Sequence, residues 1–146
     1  MVRNGETVEN RREIAAPYET ALKLIRSALF HEDLRISREF DVADIARGQP
    51  GMNLAPCRIL CVDSPLLLLE AMALDPSAAV FVPLHIVISA DGPKTQVYWL
   101  NPAGIQSKRL PVGAMLPLRA LQARIVKAME RIPVNAENRL EMSRER

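Results

Sequence analysis

Tyr18, Ala21, Leu22, Ile25, Ala28 and Leu29 recur at intervals of three and four, with Glu19, Lys23 and Arg26 between them. That spacing lays one apolar stripe along a 3.6-residue period, so it predicts a helix that Ala16-Pro17 opens, Pro17 standing in the first turn. The period changes on either side. Residues 7–16 space Val8 and Ile14 among polar side chains, as an edge strand does. Leu34-Arg35-Ile36-Ser37-Arg38-Glu39-Phe40 alternates over its first half and predicts a second strand. Asp41 to Arg47 follows as a short helix, capped by Asp41 and stopped by Gly48. A loop then runs from Gly48 to Pro56.

Cys57-Arg58-Ile59-Leu60-Cys61-Val62 is a short run between prolines and predicts a buried strand. Ser64 as N-cap and Pro65 at the first helical position start a helix that ends at Asp75-Pro76. Glu70 is its one polar side chain. A helix apolar all round needs cover on most sides, so a second helix or a partner subunit is expected over it. Val80–Ala90 and Thr95–Leu100 bracket Asp91-Gly92-Pro93-Lys94 as a hairpin, in which Pro83 marks an edge, a bulge or the strand start. Leu118, Leu121, Ile125, Ala128 and Ile132 put a last helix over about Val112–Arg131. The fold class is therefore α+β, a two-layer sandwich of a mainly antiparallel sheet with helices on one face and a helix at the C-terminal end.

Composition narrows this to one domain. The chain has 146 residues, 49% hydrophobic and 25% charged, and the periodic elements occupy 6–133 before a charged tail over 134–146. No apolar run reaches the roughly 18 residues of a membrane-spanning helix, and Met1 to Glu6 lacks the apolar segment of a secretory signal, so a cytoplasmic location is expected. Residues 1–104 carry 10 basic and 13 acidic side chains, net −3, and residues 105–146 carry 9 and 4, net +5. All six aromatic residues lie before position 100, away from the basic end. Nucleic-acid readers interleave bases with aromatics, so that partner is disfavoured.

Few side chains suggest chemistry. Cys57 and Cys61 on one strand point the same way but stand about 13 Å apart, beyond disulfide reach. His31 closes the first helix, where a cation meets the dipole favourably. His85 lies on the face opposite Leu84, Ile86 and Ile88 and is the leading polar candidate, because imidazole titrates and binds metals near neutral pH. Asp63, where a strand feeds a helix, either assists the Ser64 cap or serves a site. Tyr98 completes the candidate ligand-binding set with His85 and Asp63, and His85 with Cys61 forms the candidate metal set. Dinucleotide and nucleotide-triphosphate fingerprints, the serine-hydrolase elbow, zinc-protease and paired-cysteine motifs are absent from the chain.

The order of segments resembles family 302 of the domains of unknown function. Pro17-Tyr18-Glu19-Thr20-Ala21, Phe40-Asp41-Val42, Ile59-Leu60-Cys61-Val62-Asp63-Ser64-Pro65, Glu70-Ala71-Met72-Ala73-Leu74-Asp75-Pro76, Val82-Pro83 and Asn101-Pro102 carry the resemblance over about residues 6–104. It implies a two-layer α+β fold that associates as a homodimer, and no established activity. Members resemble one another in a cysteine before the helix-opening proline and another after the later strand proline. Those positions are Asp63 and Leu84 here, which argues against thiol chemistry, with Cys61 an imperfect stand-in. The expectation is a small homodimeric module that binds a small ligand or protein partner without catalysis. The alternatives are a metal- or haem-binding protein using His85 with Asp63 or Cys61, and an enzyme with a site around His85, Tyr98 and Asp63.

Overall fold

The computed structural model describes residues 9–80, 83–101 and 115–133. Its elements run β1 (Glu9–Ile14), α1 (Tyr18–His31), β2 (Arg35–Asp41), α2 (Val42–Arg47), β3 (Cys57–Asp63), α3 (Pro65–Leu74), a 3-10 turn over Pro76–Val80, β4 (Leu84–Asp91), β5 (Lys94–Leu100) and α4 (Met115–Glu130). The strands form one sheet in the order β1-β5-β4-β3-β2, and each neighbouring pair is antiparallel. The two-layer α+β architecture follows, with α1, α3 and α4 gathered on one face.

Strand alternation decides which side chains meet those helices. Ile14, Leu60, Val62, Leu84, Ile86, Ile88, Val97 and Trp99 point inward and share one core with Ile25 and Leu29 of α1 and Leu118, Leu121 and Ile125 of α4. Burying one such aliphatic side chain contributes about 1.5–3 kcal/mol. Pro83 directly precedes β4, a central strand, so its missing N–H costs no ladder bond. The 3-10 turn takes the place of the predicted start of that strand. It follows Asp75, whose carboxylate accepts from both the N–H and the hydroxyl of Ser77. β4 and β5 turn through Gly92-Pro93, where Gly92 has φ +61°, a conformation that suits glycine.

Helix ends show local chemistry at work. Asp41 accepts from the Asp44 N–H at 3.1 Å and Ser64 from the Leu67 N–H at 3.4 Å, as the sequence predicts. Pro17 caps α1 in extended conformation and lies just outside the first turn. At the far end Asp33 enters the left-handed region at φ +56°, and the Leu34 N–H donates back to the Leu29 carbonyl at 3.0 Å. That closure satisfies the last carbonyls of α1 and turns the chain into β2. The tail over 134–146 and the predicted first turn of α4, residues 112–114, lie outside the described residues.

Glu39 on β2 binds Arg26 of α1 and, at 3.5 Å, Arg58 of β3, tying the first helix to the sheet edge. The Arg26 hydrogen bond holds the Glu39 carboxyl below its ordinary value, against the opposing effect of burial. A carboxyl lowered in the folded state adds stability above its unfolded pKa and loses it as pH falls through the folded one. Glu39→Gln therefore lowers Tm near neutral pH by a few degrees at most, the pair being partly exposed, and the difference from wild type shrinks as pH falls below the ordinary carboxyl range. Parallel melts of the two proteins across that range test this.

Candidate functional site

Residues that alternate with the core positions form the other face of the sheet, and antiparallel register sorts them into rows. Arg38, Cys61 and His85 stand side by side on β2, β3 and β4. In the next row are Phe40, Ile59, Val87 and Tyr98, one from each of four strands, with Arg11 of β1 at the end. Cys57, Ser89, Gln96 and Glu13 follow. The middle row is an apolar stripe running across the strands between two polar rows. Its members are partly exposed, Phe40 most of all at 40%. The Arg11 guanidinium lies over the Tyr98 ring, 5.8 Å from the centroid, and also donates to Gln96 at 3.0 Å.

The predicted site residues divide against this frame. His85 is exposed on the open face, opposite its apolar neighbours as predicted. It pairs directly with Cys61, so their β-carbons are about 4.5–5.5 Å apart. Tyr98 lies one row away, opposite Val87. Asp63 is on the same face but is 2% exposed and engaged: Arg35 donates to both its carboxylate oxygens, at 2.9 and 3.3 Å. That fork pairs the ends of β2 and β3 and leaves Asp63 a joint between strands. The adjacent cap, Ser64, accepts from Arg124 at 3.3 Å, which ties α4 to the start of α3.

Cys57 and Cys61 are both free. Burial raises the Cys57 thiol above its ordinary pKa, against a hydrogen bond to Ser89. Cys61 is 5% exposed. A thiol beside an imidazole has the makings of an activated nucleophile, but this burial denies a substrate direct approach. Among the described residues no group of three or more His, Cys, Asp and Glu side chains could hold a metal. His85 and Cys61 supply two donors from one chain, for a metal ion or for haem iron alike. No helix among the described residues is long and apolar enough to cross a membrane.

Two features escape a reading of residues in order. The apolar stripe draws one residue from each of four strands, so it exists only once register is set. Arg35 as the partner of Asp63 is likewise separated from it by 28 positions. Alternation along each strand assigns Phe40, Ile59, Val87 and Tyr98 to faces but not to one row.

No curated protein matches the chain. In three dimensions it is similar to the crystal structure of an uncharacterized conserved DUF302 protein from Bacillus stearothermophilus, with a TM-score of 0.77 over 87% of this chain and 99% of that one. At 12% identity this likeness speaks for the fold alone. The family model of DUF302, a domain of unknown function, matches residues 10–132, which is nearly the whole sheet-and-helix unit. The chain belongs to the DUF302 family.

Proposed function

We propose that this protein is a homodimeric binding module without catalysis, paired through α3 and offering the open sheet face to a small ligand or a partner segment. The observation that carries the reading is where uncovered apolar surface remains. α3 buries Leu67 and Ala71, packs against α4, and leaves Leu66, Leu69 and Leu74 exposed by 60–70%. The predicted covering helix is thus α4, the Pro76–Val80 turn also packs against α3, and among the described residues nothing covers the remaining side. Glu70 is the one charged side chain of α3, so a second copy meets this face with matching chemistry about a two-fold axis. The open sheet face, with its apolar stripe beside His85 and Cys61, remains available in such a dimer. It has the mix of apolar contact and a few polar handles that binding surfaces use.

Sedimentation at micromolar concentration tests the pairing. Wild type is expected as a dimer and Leu69→Glu as a monomer with unchanged circular dichroism, because Leu69 is exposed within one chain. A wild-type monomer, or a Leu69→Glu dimer, contradicts pairing through α3.

The direct pairing of Cys61 with His85 favours a second reading, metal binding. Two donors per chain make a four-coordinate site only when two copies meet across the open face, an arrangement that competes with pairing through α3. This reading expects one metal ion for every two chains in purified protein and none in His85→Ala, by elemental analysis. Equal metal content in both removes it.

A further inference from the structure

On the helix-covered side of the sheet, beneath the start of α1, a half-open cleft of about 380 Å³ separates Tyr18 from the 48–56 loop. Small-ligand sites span roughly 300–1,000 Å³, so it has room for one small molecule. Arg58 of β3 forms part of its lining, Arg47 of α2 and Asn53 add polar groups, and Met52 and Leu54 add an apolar wall.

Arg58 is the unusual member. Arg35, on the neighbouring strand, closes its fork on a single carboxylate at 2.9 and 3.3 Å. Arg58 instead meets Glu39 at 3.5 Å and Asp41 at 3.8 Å. Both are shared: Glu39 also binds Arg26, and Asp41 caps α2. Nε of Arg58 is buried without a hydrogen-bond partner, and the side chain keeps 30% of its surface. Tyr18 of α1 lines the same cleft as this guanidinium. A partly buried guanidinium with loose partners gains from a planar carboxylate that engages its fork.

Charge narrows the ligand further. Two cations, Arg47 and Arg58, and two carboxylates, Glu19 and Asp41, line the same cleft. A plain anion would meet both carboxylates, whereas a molecule carrying both charges meets each sign with its opposite. We propose that this cleft binds a small zwitterion of the α-amino-acid type with an apolar side chain. Its carboxylate engages Arg58 beside the Tyr18 hydroxyl, its ammonium faces Glu19, and its side chain lies against Met52 and Leu54. The site is on the opposite side of the sheet from His85 and stands whether or not copies pair through α3.

Saturation-transfer NMR on the full chain tests it with L-leucine, with leucinamide, which lacks the carboxylate, and with isocaproate, which lacks the ammonium. Leucine is expected to bind, and each analogue to bind at least about tenfold more weakly, as loss of a charge-assisted hydrogen bond implies. Arg58→Gln is expected to weaken leucine binding by a similar factor. Because Arg58 also joins strands, Leu54→Asp provides a second variant at an exposed loop position, and it too is expected to abolish the signal. Absence of transfer from leucine overturns the proposal. So does equal binding of either analogue, or leucine binding retained in both variants.

Discussion

Leu60, Val62, Ile86 and Ile88 are buried beneath α1 and α4, and that packing decides which side chains every strand turns outward. A strand repeats every two residues, so placing these four inward forces Ile59, Cys61, His85 and Val87 outward. A one-residue slip of β4 would put His85 into the core and Ile86 in water, and one of β3 would do the same to Cys61 and Leu60. The many inward aliphatic side chains make such a slip costly. The composition of the open face is therefore set by packing on the opposite one.

The helix layer leaves two surfaces incompletely covered, for different reasons. α3 is ten residues long with Glu70 its one charged side chain, and it packs on α4 and the Pro76–Val80 turn while burying Leu67 and Ala71. Among the described residues no helix covers the open sheet face, and its apolar stripe is bordered by rows that can hydrogen-bond. Gln96 shows how these polar rows are satisfied: it accepts from Arg11 and donates to Glu13 and Asp91, so a 4%-exposed amide has its partners. Arg11 both ends the stripe at Tyr98 and supports this network.

Much of the fold was legible in order along the chain, because local chemistry specifies it. The stripe from Tyr18 to Leu29, the Asp41 and Ser64 caps and the Gly92 turn each lie within a few residues of the structure they dictate. The outward placement of His85 was legible for the same reason, since alternation with Leu84 and Ile86 needs no distant partner. Asp63 was not, because its Arg35 partner lies on another strand. Val80, the predicted strand start, instead closes the short turn at Pro76–Val80, and the positive φ of Asp33 serves a turn that nothing in its immediate neighbours requires. The cleft at Arg58 combines α1, α2, β3 and a loop, and no spacing along the chain announces it.

Helices cover one face of the sheet, and the proposed pairing through α3 leaves the other face accessible. Methyl NMR with a soluble paramagnetic probe measures this directly, at the micromolar concentrations where pairing through α3 is proposed. Broadening of the Ile59 and Val87 methyl signals is expected, while those of Val62 and Ile86 are untouched. Equal protection of all four would contradict it and place a covering partner on the face that carries His85.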